Sequence, residues 1–279
     1  MAKAIDRNRA APAEARVRRG YFECRFGQLH VHNAIPPGGG FDEATALVCV
    51  HPTPQTGRIF DRLSRMLGKD RSVYAPDLPG FGESDAPPSR AGIADYAGAL
   101  ADFCDSMRFR QIDVLGAHSG SFVAAELALV RSSLVRRLVC IGMPLASDAE
   151  REAFRRAPWP LPTAEDGSHL LIEWQRTLQG RRPGESLEES ARALAEKLGN
   201  GPHAWWGLAA ALEYPARERL GRLTQPTMLV RLRDEWWEAT HRARELLPRA
   251  RLLELPELGT EALALPPATL ANALRDFLR

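Results

Sequence analysis

The sequence lacks the features that mark membrane, secreted and nucleic-acid-binding proteins. No stretch approaches the roughly 18 consecutive apolar residues of a membrane span, and the N-terminus has no apolar signal core. The net charge is only +2 over 279 residues, and both signs are scattered along the chain. Because nucleic acids bind to a concentrated basic face, we expect no nucleic-acid or membrane partner and a cytoplasmic location.

Cysteine is also scarce, and its spacing excludes the common metal motifs. The four cysteines, at positions 24, 49, 104 and 140, include no Cys-x-x-Cys pair. Free thiols in a reducing compartment are therefore expected, with no disulfide framework and no metal site. No Gly-x-x-x-x-Gly-Lys phosphate loop is present either. We therefore predict a protein without a cofactor.

Apolar strand patterns alternate with helical periodicity along most of the chain. A basic, alanine-rich segment, residues 1–19, precedes this pattern and is predicted to be a flexible arm. The predicted strands are Tyr21–Arg25, Leu29–Asn33, Thr45–Val50, Ser72–Ala75, Ile112–Leu115, Arg137–Ile141, Thr227–Leu232 and Arg251–Leu255. Strand–helix repeats at this spacing favour a mostly parallel sheet covered by helices on both faces.

The alternation stops in the middle of the chain. Residues 144–220 are helical in pattern, rich in tryptophan and without a convincing strand. We interpret this segment as a helical cap, inserted between the two halves of one α/β core at residues 20–143 and 221–279. A cap would cover the carboxyl ends of the strands, where open α/β sheets bind their ligands.

Three motifs follow predicted strands in a fixed order. The first strand of the parallel series ends in His51-Pro52-Thr53-Pro54, and the next is followed by the stretch from Asp77 to Ser84, Asp-Leu-Pro-Gly-Phe-Gly-Glu-Ser. Gly116-Ala117-His118-Ser119-Gly120 follows the third. These motifs resemble the oxyanion loop, the Asp-x-Pro-Gly-x-Gly-x-Ser turn and the nucleophile elbow of α/β hydrolases. The resemblance implies the α/β-hydrolase fold.

The elbow motif carries histidine where the family has serine. A nucleophile elbow needs small residues two positions before and after its apex, and Gly116 and Gly120 bracket His118. The alternative register brackets Ser119 with Ala117 and Ser121. Glycine relieves the strained turn better than alanine or serine, which favours His118. The chain also resembles a bacterial subgroup of the superfamily in which histidine stands at this position.

The other members of a serine-hydrolase triad are altered as well. By resemblance the acid follows the strand after the cap, where Asp234 and Glu235 are both candidates. The family's histidine position falls on Thr260, and no histidine follows His241. A Ser-His-Asp mechanism therefore lacks its general base in either register.

The resemblance still assigns a site to these residues. His118 with Asp234 or Glu235 would form a dyad, with one ring nitrogen bound to the carboxylate and the other facing the pocket. The backbone N–H groups of Thr53 and Ser119 would form an oxyanion hole. Three further candidates for substrate contact are His51, His169 and Trp174.

Two functions follow as alternatives. The first is a cofactor-independent hydrolase or related lyase acting on a small, largely apolar organic substrate. The second is a non-catalytic member of the fold that keeps the pocket and binds a small molecule. They differ in whether His118 has a carboxylate partner and a path to the pocket.

Overall fold

The N-terminal segment enters the sheet earlier than the sequence predicts. The computed structural model describes residues 15–37, 44–156, 161–181 and 184–279. Residues 1–14 of the predicted arm lie outside this part of the chain. The first strand begins at Val17 and pairs with Ala34, so residues 17–19 are part of the sheet. Ala15 is buried as well, and backbone pairing here outweighs the basic composition.

In the described part of the chain, one eight-stranded sheet forms the centre of the molecule. The strands are β1 (Val17–Cys24), β2 (Gly27–Ala34), β3 (Ala44–Val50), β4 (Arg71–Pro76), β5 (Ile112–Ala117), β6 (Val135–Ile141), β7 (Thr227–Leu232) and β8 (Arg251–Leu255). Their spatial order is β1-β2-β4-β3-β5-β6-β7-β8. The β1–β2 and β2–β4 pairs are antiparallel, and the remaining pairs are parallel. The predicted α/β-hydrolase fold, with a mostly parallel sheet, is confirmed.

Helices cover both faces of this sheet. They are α1 (Asp61–Leu67), α2 (Ile93–Ser106), α3 (Ser119–Val130), α4 (Asp148–Arg156), α5 (Ser168–Gln179), α6 (Leu187–Gly199), α7 (Trp206–Glu213), α8 (Ala216–Leu220), α9 (Trp237–Leu246), α10 (Glu261–Ala264) and α11 (Ala268–Leu278). One apolar cluster joins the sheet to α2 and α3, and a second joins it to α1 and α11. The central strands are largely apolar because both of their faces are buried, and the buried charges of Arg71 and Asp113 within them are paired with each other.

Helices α4 to α8 lie between β6 and β7, where the sequence predicts the cap. Asn200, after α6, donates from its side-chain amide to Pro54 O at 2.6 Å and accepts from Gly82 N–H at 3.0 Å. In α7, Gly207 packs so closely on Thr53 that a Cβ atom there would lie 2.3 Å from its methyl carbon. The insertion therefore contacts the loops that follow β3 and β4. None of the described helices combines the length and the apolarity needed to cross a membrane.

Candidate active site

The turn between β5 and α3 has the strained backbone of an elbow. His118 adopts φ 46° and ψ −119°, a left-handed conformation that residues with a side chain rarely take. A Cβ atom on Gly116 would lie 2.3 Å from the carbonyl oxygen of Gly120. A Cβ atom on Gly120 would lie 2.3 Å from the carbonyl oxygen of Val50. These contacts require glycine on both sides, and His118 is therefore at the apex.

The His118 side chain contacts the carboxylate that follows β7. Its Nε2 lies 3.1 Å from Oδ2 of Asp234, and the two side chains are 11% and 1% exposed. The other carboxylate oxygen accepts a hydrogen bond of 2.9 Å from the backbone N–H of Trp236. An ionised carboxylate only accepts hydrogen bonds, so the neutral tautomer of His118 that fits this contact has its proton on Nε2 and its lone pair on Nδ1.

Only one of the two acidic candidates takes part in this contact. The predicted hydrogen bond is present, and it involves Asp234, which is held by the turn at the end of β7. Glu235 is exposed, so the structure corrects its assignment as a possible member of the dyad. Successive residues in this turn point in different directions, and only the first faces the elbow.

Gly142, directly after β6, is a site residue that the sequence motifs do not identify. It has φ +60°, and a Cβ atom built on it would lie 2.5 Å from Cδ2 and 2.8 Å from Nε2 of His118. The same atom would lie 2.9 Å from Oδ2 of Asp234. Glycine therefore provides the space in which the imidazole and the carboxylate meet. A glycine at the carboxyl end of a central parallel strand was the only signal in the sequence.

The predicted oxyanion donors lie next to each other, but one of them is already engaged. The backbone N–H of Thr53 donates to Oγ of Ser119 at 3.0 Å, and Oγ1 of Thr53 lies 3.0 Å from the same oxygen. The N–H of Ser119 lies in the first turn of α3, where backbone donors have no partner within the helix. In this conformation the Ser119 hydroxyl therefore lies where a substrate oxygen would meet Thr53.

The structure corrects the prediction that His51 contacts substrate. Its imidazole is fully buried, with Nδ1 hydrogen-bonded to the carbonyl oxygen of Pro52 at 3.1 Å. Nε2 accepts from the backbone N–H of Leu78 at 2.8 Å. Both ring nitrogens are used in joining the loop after β3 to the loop after β4. His51 therefore supports the position of Thr53 and does not contact a ligand.

The burial of His51 predicts that the free energy of unfolding falls in acid. Burial lowers the pKa of His51 below its ordinary value of 6.5. Below pH 6.5 the unfolded chain binds a proton that the folded chain excludes, so this contribution to stability is complete above 6.5 and is lost as the pH falls. The loss for one site is at most about 1.4 kcal/mol per pH unit. Urea unfolding between pH 8 and pH 5 measures it.

His51→Gln provides the comparison, because its amide can replace both hydrogen bonds without titrating. We expect this variant to lose less stability between pH 7 and pH 5 than the native protein. His241→Gln removes an exposed histidine and should leave the native pH dependence unchanged. An equal pH dependence in the native protein and His51→Gln would show that His51 is not the group involved.

A cavity of about 570 Å³ lies between the insertion and the loop after β3. Thr53 and Pro54 line it on the core side, and His169 lines it on the insertion side. Nδ1 of His169 accepts from the backbone N–H of Ala164 at 3.1 Å. Trp174, which is half-buried on α5, and His118 are not among the described residues that line this cavity.

A second group of histidines lies away from this cavity. His30 and His32 of β2 and Asp77 after β4 are buried, and one potential ligand atom from each lies within 4.8 Å of the others. The side chains of these histidines are hydrogen-bonded within the protein. His30 Nδ1 lies 2.9 Å from Asp77, and His32 Nδ1 lies 2.8 Å from Asp61. Asp77 also accepts from the backbone N–H of Gly57 at 2.7 Å. The network joins β2 to the loops beneath the site.

Comparison with known sequences agrees with this architecture. A model described as the alpha/beta hydrolase family matches residues 47–273. The 3-hydroxybutyrate-oligomer hydrolase of Cupriavidus necator is 27% identical over 168 residues, which are 58% of this chain and 57% of that protein. The putative carbamate hydrolase RutD of Pseudomonas savastanoi pv. phaseolicola is 26% identical over 221 residues, which are 76% of this chain and 85% of that protein. The chain thus spans little more than half of the first relative.

Solved structures share the fold at low sequence identity. An esterase from Thermogutta terrifontis superimposes with a TM-score of 0.74 and 20% identity, covering 94% of this chain and 98% of the esterase. The enol-lactonase from Burkholderia xenovorans LB400 gives a TM-score of 0.73 at 16% identity, and the match covers 93% of this chain and 99% of the lactonase. The family model extends over most of the chain and includes the elbow, Asp234 and Thr260. The protein belongs to the alpha/beta hydrolase family.

Proposed function

We propose that this protein is a cofactor-independent hydrolase that cleaves a small, largely apolar ester, lactone or related carbonyl compound, with His118 and Asp234 as its catalytic residues. The observation that carries the proposal is the 3.1 Å contact between Nε2 of His118 and Asp234 at the elbow apex. The carboxylate orients the ring and favours the tautomer whose Nδ1 accepts a proton. The hydrolase names of the relatives support hydrolysis as the reaction class.

In the proposed mechanism His118 activates water. Nδ1 takes a proton from a water molecule, whose oxygen forms a bond to the carbonyl carbon, and Asp234 stabilises the resulting imidazolium. The carbonyl electron pair moves to oxygen, which accepts hydrogen bonds from the N–H groups of Ser119 and Thr53. When the intermediate collapses, the bond to the leaving group breaks, and the imidazolium returns the proton to that group.

Substrate binding has to rearrange one contact for this mechanism to operate. The carbonyl oxygen displaces the Ser119 hydroxyl from the Thr53 N–H, because both need the same donor. The hydroxyl then turns toward Oγ1 of Thr53 or donates to the substrate oxygen itself. No covalent bond to Ser119 forms, since the family's histidine position is Thr260 and the imidazole at the apex belongs to the preceding residue.

A ligand-binding protein without catalysis is the second candidate. It is favoured by the occupied Thr53 N–H and by the low exposure of His118, whose side chain is 11% exposed. A screen of 4-nitrophenyl and lactone substrates with acyl chains of two to ten carbons separates the two functions. Turnover above that of the His118→Ala protein supports the hydrolase, and tight binding of the same compounds without turnover supports the binding protein.

The mechanism predicts the outcome of active-site labelling. A fluorophosphonate probe reacts with a serine that is activated by a histidine base, and this site has no seryl nucleophile. We expect no stoichiometric labelling of the native protein when intact mass is measured. A commercial serine esterase in the same reaction controls for probe activity. Stoichiometric labelling that maps to Ser119 and disappears in Ser119→Ala would contradict the proposed mechanism.

A further inference from the structure

Two histidines of β2 lie on one face of the sheet. His30 and His32 are two positions apart on a strand, so both side chains project to the same side. Leu29 and Val31, which alternate with them, belong to the apolar cluster on the opposite face. On the histidine side, His32 contacts Asp61, the first residue of α1. The strand therefore presents a pair of imidazoles to the space beneath α1.

The aspartate that follows β4 lies beside this histidine pair. Strand β4 pairs with β2 in the antiparallel direction, and the backbone N–H of Asp77 donates to the carbonyl oxygen of His30 at 2.8 Å. One potential ligand atom from each of His30, His32 and Asp77 lies within 4.8 Å of the other two. The three residues are 4%, 5% and 1% exposed. The pairing of the two strands thus builds a buried cluster of two imidazoles and one carboxylate.

The spacing within this cluster suits a metal ion. Nδ1 of His30 lies 2.9 Å from Oδ2 of Asp77. Neighbouring ligand atoms of a tetrahedral zinc site, with bonds of about 2.0 Å, are roughly 3.3 Å apart, so only a small adjustment of these two atoms is needed. An ion that enters here takes the place of the proton between the ring and the carboxylate.

A second carboxylate supports His32 in the way that metal-binding histidines are supported. Nδ1 of His32 lies 2.8 Å from Oδ1 of Asp61, whose side chain is 25% exposed. With its proton on Nδ1, the neutral ring keeps its lone pair on Nε2, and a carboxylate on the other nitrogen fixes the orientation of a metal-binding ring. Asp61 also lines a pocket of about 290 Å³ between α1 and α6. It therefore links the buried histidine to the surface.

The ligand set indicates the class of metal. Two imidazole nitrogens and one carboxylate oxygen match zinc and similar divalent transition metals. Calcium and magnesium prefer shells made of oxygen atoms. The sequence has no Cys-x-x-Cys pair, which argues against a thiolate site but does not bear on a site built from histidine and aspartate.

We propose that His30, His32 and Asp77 bind one zinc ion or a similar divalent transition metal, which joins β2 to the loops after β3 and β4. Asp77 already accepts hydrogen bonds from the backbone N–H groups of Gly57 and Glu83 in these loops, at 2.7 and 3.2 Å. When the metal binds, the proton on Nδ1 of the neutral His30 ring moves to Nε2, and Nδ1 coordinates the ion. The proposed hydrolysis does not use this ion, so its binding is independent of catalysis.

Calorimetry with zinc chloride tests the site in the full chain. The protein is treated with EDTA, freed of the chelator and titrated. We expect one zinc ion per chain, and His32→Gln should weaken its binding about 100-fold because one ligand is lost. Asp61→Asn should weaken binding about tenfold, as the loss of a supporting carboxylate does. Magnesium chloride should show no binding.

Two control variants locate the bound ion. His241→Gln removes an exposed histidine and should keep the native affinity for zinc. His118→Ala removes the histidine of the other histidine–aspartate contact, at the elbow, and should also bind zinc as the native protein does. Thermal unfolding gives a second readout. Zinc at 100-fold excess over its Kd should raise Tm of the native protein by about 5 °C and leave that of His32→Gln unchanged.

A hydrogen-bond network that holds no metal gives different results. A native protein that does not bind zinc, or an equal affinity in His32→Gln, overturns the proposal. Loss of binding in His118→Ala overturns it as well, because the ion would then lie at the elbow. If His32→Gln does not fold, His30→Gln replaces it with the same expected loss. Zinc X-ray absorption of the native protein requires no variant, and fewer than two imidazole ligands in its spectrum would also contradict the site.

Discussion

Replacing His118 with alanine is expected to lower kcat by about 100-fold to 10,000-fold, the range that a general base contributes. The variant keeps the N–H groups of Ser119 and Thr53, so the substrate should still bind and KM should change little. Alanine at φ 46° bears the same backbone strain as histidine, and the variant loses the ring contact with Trp236, whose centroid lies 6.4 Å away. Steady-state kinetics with the best substrate of the ester screen measure the effect, and circular dichroism monitors the fold.

Asp234→Asn separates the role of the dyad from that of the ring alone. The amide has the shape of the carboxylate, but its NH₂ group favours the opposite tautomer of His118, which removes the lone pair from Nδ1. We expect a loss of kcat comparable to that of His118→Ala. His241→Ala, on the exposed face of α9, is the matched control and should retain native kcat. Full activity in His118→Ala would exclude the proposed base.

The fold and the elbow could be predicted because their signals are local. The strands from β3 to β7 are short apolar runs with helices between them, and each such pattern depends only on residues that are close in sequence. The bracket of Gly116 and Gly120 places His118 at the apex because the strain lies within five residues. β1 was predicted too short, since its first residues are basic and only pairing with β2 makes them part of the sheet.

The details of the site depend on contacts between distant parts of the chain, which composition does not encode. Asp234 and Glu235 are equivalent acids in the sequence, and the turn after β7 alone determines that the first one meets His118. The hydroxyl of Ser119 meets the Thr53 N–H across 66 positions. Glu173 and Lys197 pair between two helices of the insertion. Their helical periodicity indicates which residues are exposed, but not which face each other.

Gly142 contacts both His118 and Asp234, which are distant from it in the sequence. Gly142→Ala is expected to disrupt the dyad that they form. The added methyl group would lie 2.5 Å from Cδ2 of His118 and 2.9 Å from Oδ2 of Asp234, so the two side chains must move apart. We expect kcat to fall about 100-fold, close to the value for Asp234→Asn. Alanine at φ +60° also costs roughly 1–2 kcal/mol of stability. Steady-state kinetics and urea unfolding measure the two effects on the same preparation.

Gly184→Ala distinguishes the steric effect from the backbone effect. Gly184 has φ +80°, and a Cβ atom there would meet no atom of the described, non-adjacent residues within 4 Å. This variant should therefore lose a similar amount of stability through its backbone but keep native kcat. If Gly142→Ala retains native kcat while losing stability, the two side chains do not act as a dyad, and the small-molecule-binding function becomes the better account of the site.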